Sequence, residues 1–125
     1  MGKGRMPKRI LYLIDGLNTG GAQTALFNII TQLDRNKYEP IVIELFVDGQ
    51  VGAALRDRGV YTRCLDVTRP FYIGNVIKHH RQLVQFARSA RIDLVHSSLS
   101  ASGIYGGLLA KRLGLPSVLN VQAPL

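Results

Sequence analysis

The sequence contains one cysteine, no tryptophan, and half as many acidic as basic residues. Because Cys64 stands alone, it can form no disulfide within the chain and cannot by itself build a zinc site. No apolar run approaches the roughly 18 residues that a membrane-spanning helix needs. The basic start of the chain leads directly into a strand-like segment, which is not the pattern of a secretory signal. These absences predict a soluble protein of the reducing cytoplasm.

Several catalytic motifs are also missing. The sequence has no G-x-x-x-x-G-K-[ST] segment, which argues against a P-loop NTPase, and no G-x-G-x-x-G, which weakens a nicotinamide-binding interpretation. It shows no Ser-His-Asp order, no paired-carboxylate spacing and no cluster of metal ligands. We therefore predict no catalytic residue, no metal and no bound cofactor for this chain.

The 125 residues suit a single domain. Hydrophobic residues make up 46% of the chain and charged residues 19%, a balance that excludes an ordinary disordered polypeptide. We predict that residues 1–8 form a basic disordered tail and that residues 9–125 fold together.

Apolar runs of strand length alternate with segments of helical periodicity along the chain. The predicted strands cover residues 9–15, 38–46, 60–65, 93–96 and 117–121. Gly59 and Gly114 are predicted helix stops, and Gly103, Gly106 and Gly107 indicate close packing of the fourth helix. Strict alternation of strand and helix predicts an α/β fold, a Rossmann-like doubly wound parallel sheet of strand order 3-2-1-4-5.

A glycine-rich turn, residues 16–21, follows the first predicted strand. Gly20 and Gly21 would let a ligand approach a helix N-terminus, where open N–H groups favour phosphate or carboxylate. Thr19 is a possible helix cap, and Gln23 is placed to bond back to a backbone N–H. A tight turn with glycines needed for packing alone is the alternative.

In the predicted strand order, strands one and four are neighbours, and ligands bind in the crevice at such a switch point. The polar residues predicted to line it are Asp15, Asn18, Thr19, His96, Ser97, Ser98 and Ser100. Several of them have a structural alternative: Asp15 can bond to the glycine turn, His96 can be a structural hydrogen bonder, and Ser98 and Ser100 can satisfy open N–H groups of the fourth helix.

The formal net charge is +8, and no acidic residue occurs between Val67 and Ile92. Lys78, Arg81 and Arg88 fall on one face of the third predicted helix. They form either an ordinary solvated face or a surface for anionic lipid. Nucleic acid is not predicted as a partner, since no nucleic-acid-binding motif is present.

Two segments resemble family-4 glycosyltransferases. The first, RILYLIDGLNTGGAQ, is similar to the strand, D-G-L-x-x-G-G-A-E-like loop and helix that open that family. The second, DLVHSSLSASGIYGGLLAKRLGLPSVLNVQ, is similar to its D-I-V-H-x-H…A-x-x-x-G-x-P-x-V block. The resemblance implies one half of a two-domain GT-B fold that takes a nucleotide-diphosphate sugar as donor and transfers its sugar with retention of configuration.

The resemblance also implies roles for single positions. Gly20 and Gly21 would face the interdomain cleft, close to the donor's phosphates and sugar, and His96 matches the first histidine of the family. The chain departs from the family at three positions, where Gln23 replaces a glutamate and Ser98 and Gln122 replace histidines. The resemblance also implies that Gln122 lines the cleft, and the three departures affect the contacts expected with the donor sugar.

Three functions follow from the sequence. The first is the acceptor-side domain of a glycosyltransferase acting on a lipid-linked, saccharide or small-molecule acceptor, without its donor domain and therefore inactive alone. The second is a stand-alone Rossmann-like ligand-binding subunit that needs a partner chain. The third is a nicotinamide-binding domain. In each case the fifth strand would be an open sheet edge, which favours self-association.

Overall fold

A computed structural model describes residues 6–16, 21–47, 50–67, 73–98 and 101–120. Strands and helices alternate through these residues, as the sequence predicts. The elements are β1 (Lys8–Gly16), α1 (Gly21–Thr31), β2 (Tyr38–Val47), α2 (Gln50–Asp57), β3 (Tyr61–Cys64), α3 (Ile73–Ala90), β4 (Leu94–Ser98), α4 (Ala101–Leu113) and β5 (Ser117–Asn120).

The strands form one parallel sheet in the order β3-β2-β1-β4-β5, which confirms the predicted α/β architecture and strand order. The strand boundaries differ by one or two residues from the predicted ones, and Lys8, assigned to the tail, begins β1. Ser97 and Ser98, predicted to follow the fourth strand, lie within β4, where Ser97 pairs with Leu13 and Ser98 with Asn120. Ladder hydrogen bonds with two neighbouring strands outweigh the weak strand propensity of serine here.

Apolar side chains cover both faces of the central strand. Leu11 and Leu13 of β1 point toward α3 and α4, where they join Leu83 and Leu109 in one buried cluster. The alternate residues Ile10, Tyr12 and Ile14 join Leu26 and Ile30 of α1 in a second cluster. Because both faces of β1 are buried, its sequence is a continuous apolar run without alternation.

The helices end as their glycines predict. Gly59 after α2 and Gly114 after α4 adopt positive φ angles of 79° and 67°. Beyond each glycine the chain turns back on its helix, with Val60 N–H donating to the Leu55 carbonyl at 3.0 Å and Leu115 N–H to the Ala110 carbonyl at 2.9 Å. This Schellman geometry satisfies carbonyls that a helix end leaves open.

Arg9 holds the amino ends of the central strands together. Its backbone N–H donates to Asp93 Oδ2 and its carbonyl accepts from Asp93 N–H, both at 2.8 Å. Its guanidinium donates to the Ala90 carbonyl at the end of α3 and lies 3.4 Å from a Glu39 carboxylate oxygen. This cation of the basic N-terminal region therefore has a structural role.

The outer strand β5 has little cover. Val118 and Leu119, which point to opposite faces of the sheet, are 45% and 49% exposed. Ile104 and Leu108 on the neighbouring helix α4 are also exposed. This side of the described sheet therefore presents apolar surface on β5 and on α4.

Candidate functional site

The candidate site lies at the carboxyl ends of β1 and β4. These strands are adjacent, with Tyr12 opposite His96 and Leu13 opposite Ser97. The helices that follow them leave toward opposite faces, since α1 packs in the Tyr12 cluster and α4 in the Leu11 cluster. Ligands of open α/β sheets bind at such a switch point.

The described residues include only part of the predicted lining. Asn18, Thr19, Gly20, Ser100 and Gln122 lie outside them. Three further positions are placed by their backbone, with Gly21 beginning α1, Gln23 in its first turn and Ser98 ending β4. The start of α1 at Gly21 puts a helix N-terminus at the end of the glycine-rich turn, as the anion-binding prediction requires.

His96 is half-buried on the sheet face that α1 covers. Its ring centroid lies 5.0 Å from that of Tyr12, with the ring planes inclined at 48°. Burial lowers the pKa of His96 from its ordinary value of 6.5, against a smaller opposing effect of a backbone hydrogen bond, and burial raises the pKa of Tyr12. At neutral pH the pair is therefore an uncharged imidazole beside an uncharged phenol, suited to hydrogen bonds rather than ion pairs.

The lowered pKa of His96 predicts a pH-dependent stability. Below about pH 6.5 the unfolded chain takes up a proton that the folded chain resists, so stability falls as the pH falls. We expect the melting temperature to drop between pH 7.5 and pH 5.5, and to drop less in His96→Gln. Circular dichroism melts measure the drop, and an NMR titration of the imidazole measures its pKa. A His96 pKa at or above 6.5 would contradict this prediction.

Ser97 lies on the opposite face from His96 and is only 3% exposed. A Cβ atom placed on Gly106 of α4 would lie 2.8 Å from its Oγ and 2.9 Å from its Cβ. Ser97 was predicted to line the groove, but it packs beneath α4 and has little surface to offer a ligand. The close packing predicted for Gly106 is confirmed. For Gly107 the prediction was wrong, because a Cβ atom placed there would have no neighbour within 4 Å.

Asp15 connects the carboxyl end of β1 to the start of α4. Its Oδ1 accepts a hydrogen bond from the backbone N–H of Ser102, in the first turn of α4, at 3.0 Å. Asp15 lies between Ile14 and Gly16, where the pairing of β1 with β2 shifts register. The sequence predicted a contact to ligand or to the glycine turn, whose residues 17–20 lie outside the described ranges; within those ranges the carboxylate caps α4. A negative charge at this helix N-terminus is favourable, and it makes the end of α4 less attractive to a second anion than that of α1.

Sequence reasoning missed one buried carboxylate. Glu44 is fully buried in β2, opposite Ile14 on one side and Cys64 on the other. The available signal was an acidic residue inside the apolar run YEPIVIELF, where a strand covered on both faces has no solvated side. Glu44 therefore belongs to the buried structure behind the carboxyl edge of the sheet.

The described ranges contain neither a metal centre nor a membrane-spanning helix. No three His, Cys, Asp or Glu side chains there come together as metal ligands. None of the helices in those ranges has both the length and the hydropathy needed to cross a bilayer.

The parallel sheet and its strand order define a Rossmann-like α/β domain, and comparison with known proteins identifies the family. The profile of Glycosyltransferase Family 4 matches residues 19–125, so the chain belongs to that family. This confirms the resemblance found in the sequence. No curated protein matches the chain closely enough to count as a relative.

Solved structures share the fold at low sequence identity. MurG of Acinetobacter baumannii is 18% identical with a TM-score of 0.73, the match covering 92% of this chain and 34% of MurG. A glycosyltransferase from Rickettsia africae is 13% identical with a TM-score of 0.73, covering 90% of this chain and 29% of that one. The chain thus spans about a third of the length of these proteins.

The same fold also occurs outside glycosyltransferases. The C-terminal domain of a Pyrococcus furiosus hydrogenase matches with a TM-score of 0.53 and 14% identity, over 90% of this chain and 91% of that domain. Fold alone therefore does not determine function. The assignment to the family rests on the match of its profile to residues 19–125.

Proposed function

We propose that this chain is the acceptor-side, N-terminal domain of a GT-B glycosyltransferase that moves a sugar, with retention, from a nucleotide-diphosphate donor to an acceptor. The family match over residues 19–125 carries this proposal. The length of the similar solved glycosyltransferases supports it, because this chain covers only about a third of each.

The two helix N-termini at the groove have different roles in this proposal. The end of α1, which begins at Gly21, receives the donor's phosphates through backbone N–H groups. The end of α4 is occupied by Asp15, whose carboxylate joins the end of β1 to the first turn of α4. Neutral His96, on the α1 side, is available to hydrogen-bond a sugar or acceptor hydroxyl. No catalytic group is assigned to this domain, so a donor domain is needed for transfer.

Binding of nucleotide sugars to the chain tests this proposal. We expect uridine or guanosine diphosphate sugars to shift backbone NMR signals in the first turn of α1 and near His96, whereas NAD does not. Gly21→Asp should weaken binding at least about tenfold, because its carboxylate repels the diphosphate. The same charge at the first turn of a helix does not destabilise it, so the fold should be retained.

Gly107→Asp is the matched control, since Gly107 is exposed on α4 and has open space around it. It should bind the nucleotide sugar as the parent chain does. Tight NAD binding, or nucleotide-sugar binding equally weakened by both substitutions, would contradict the proposed site and favour another ligand.

A second candidate, a separate ligand-binding subunit that needs a partner chain, is favoured by one observation. Val118 and Leu119 leave both faces of β5 partly uncovered, beside the exposed Ile104 and Leu108 of α4. This edge fits a further strand and helix, from a donor-side chain or from a second copy. A transfer assay with and without a separately expressed donor domain distinguishes a subunit from a domain of one enzyme.

A further inference from the structure

The strand β3 forms one edge of the sheet. It pairs with β2, and no strand of the described ranges lies on its other side. The N–H of Leu65 donates to the Glu44 carbonyl of β2 at 2.8 Å. Backbone groups alternate in direction along a strand, so those of Tyr61 and Arg63 also point toward β2, whereas those of Thr62 point away from it. The N–H and C=O of Thr62 are therefore placed to pair with a further strand.

The side chains of Tyr61 and Arg63 lie together on one face of this edge. Their partners in β2, Ile41 and Ile43, belong to the buried cluster that α3 covers, so both side chains are on the α3 face. Arg63 is exposed, and Tyr61 is 49% exposed. The Tyr61 ring stacks on Phe86 of α3, with centroids 5.6 Å apart and planes inclined at 28°. Phe86 thus holds the ring in place while its remaining surface can contact a partner.

We propose that two copies of this chain associate through β3, in an antiparallel pair centred on Thr62. The two Thr62 residues exchange both of their N–H···O bonds across a two-fold axis perpendicular to the sheet. Tyr61 of each copy then lies opposite Arg63 of the other, on the same face and in the closer, non-hydrogen-bonded type of pair. A guanidinium over a tyrosine ring is a favourable contact, and the symmetry makes it twice.

The neighbouring symmetric registers are less favourable. A pair centred on Arg63 would bring two guanidinium groups directly opposite each other, and like charges in that position are destabilising. A pair centred on Tyr61 would set Thr62 against Val60, whose N–H already donates to the Leu55 carbonyl at 3.0 Å. The register centred on Thr62 avoids both costs, so the short strand is complementary to itself in one arrangement.

The association is expected to be weak. The strand β3 has four residues, and the net charge of +8 on each copy opposes the approach of a second one. At 0.15 M NaCl the Debye length is about 8 Å, which screens most of that repulsion. We expect a dissociation constant on the order of 0.1 mM, as for a small interface.

A pair through β3 leaves the candidate site accessible. The strands β2 and β1 separate β3 from β4, so the groove at the carboxyl ends of β1 and β4 stays open in both copies. The opposite edge, β5, also remains uncovered for the further strand and helix considered above. The inference therefore goes beyond the proposed function and does not depend on it.

Sedimentation velocity of the chain at 10 μM to 1 mM in 0.15 M NaCl tests the proposal. We expect the dimer fraction to grow with concentration. Thr62→Pro removes the outward N–H, at an edge position where proline is compatible with a strand, and should raise the dissociation constant about tenfold or more. Arg63→Glu removes both contacts with Tyr61 and should raise it about fivefold or more. A parent chain that stays monomeric up to 1 mM would overturn the proposal.

The matched control is Lys111→Glu on α4, an exposed position where the substitution makes the same change in net charge. It lowers the repulsion between copies without altering β3, so the dissociation constant should stay the same or fall. Circular dichroism verifies that every variant is folded. If Arg63→Glu associates as tightly as Lys111→Glu, Arg63 makes no contact between copies and the proposal is overturned.

Disulfide trapping gives a second, independent measurement, because Cys64 is the single cysteine of the chain. In a Cys64→Ser background, Thr62→Cys should form a dimer under mild oxidation, since Cα atoms of a hydrogen-bonded antiparallel pair are about 5.5 Å apart. The parent chain should not, because Cys64 lies opposite Val60 in this register, about four residues or 13 Å from its copy.

The control for trapping is Leu119→Cys in the same Cys64→Ser background, at a 49% exposed position of β5. We expect no disulfide dimer from it. Trapping at position 119 but not at 62 would place the contact on β5 and overturn the proposal. Trapping of the parent chain as fast as of Thr62→Cys would overturn the register.

Discussion

Gly106→Ala is expected to lower the free energy of unfolding by about 1–3 kcal/mol, although it exchanges glycine for a better helix former. The added methyl group would lie 2.9 Å from the Cβ of Ser97. Because that Cβ is fixed to the backbone of β4, α4 must move away from the sheet. Urea unfolding followed by circular dichroism measures the change.

Gly107→Ala is the control for this prediction. It lies in the same helix, one residue further on, and its added methyl group has nothing within 4 Å. Here the ordinary helix propensity should act alone and stabilise the chain by about 0.5–1 kcal/mol. Similar effects of the two substitutions would show that α4 does not pack closely on β4.

Ser97→Gly identifies the source of the Gly106→Ala effect. This change removes both atoms that would lie within 3 Å of the new methyl group, and leaves only an ordinary contact with Val95 Cγ1 at 3.5 Å. The double variant should therefore lose less stability than the sum of the two single variants. Strict additivity would mean that the cost arises elsewhere in α4.

Asp15→Ala is expected to lower the free energy of unfolding by about 1–2 kcal/mol, the usual cost of removing a helix cap. The substitution removes the acceptor for the Ser102 N–H, whose residue is fully buried, and also removes a favourable charge at the N-terminus of α4. Chemical unfolding measures the loss. Hydrogen exchange of the Ser102 amide should also become faster.

Asp15→Asn separates the two contributions. Asparagine retains a side-chain oxygen that accepts the Ser102 N–H but has no charge, so about half of the stability should return. Full recovery would assign the effect to the hydrogen bond alone. Unchanged stability and unchanged Ser102 exchange in Asp15→Ala would refute the capping role.

The sequence predicts most of the sheet because its signals are local. The run from Arg9 to Asp15 is apolar at nearly every position, as a strand buried on both faces must be, and β1 is found there. Gly59 and Gly114 mark the helix ends because the turn needs a positive φ. The strand order then follows from the handedness of strand–helix–strand connections.

The contacts within the site were not predictable in the same way, because they join distant parts of the chain. Asp15 and Ser102 are 87 positions apart, so no local pattern indicates their hydrogen bond. Ser97 has the polarity of a loop residue, yet the absence of a side chain at Gly106 lets α4 cover it. Glu44 is likewise buried in a strand that pairs on both sides with strands from distant parts of the chain, opposite Ile14 and Cys64.

The central place of β1 has a consequence for synthesis on the ribosome. β1 pairs with β4, and the hydrogen-bonded residues Arg9 and Asp93 are 84 positions apart. At about 5–20 residues per second, one edge of β1 lacks its partner for roughly 4–17 s of translation. During that interval an apolar strand edge is open to wrong pairing, so chaperones that bind nascent chains should engage this protein before β4 emerges.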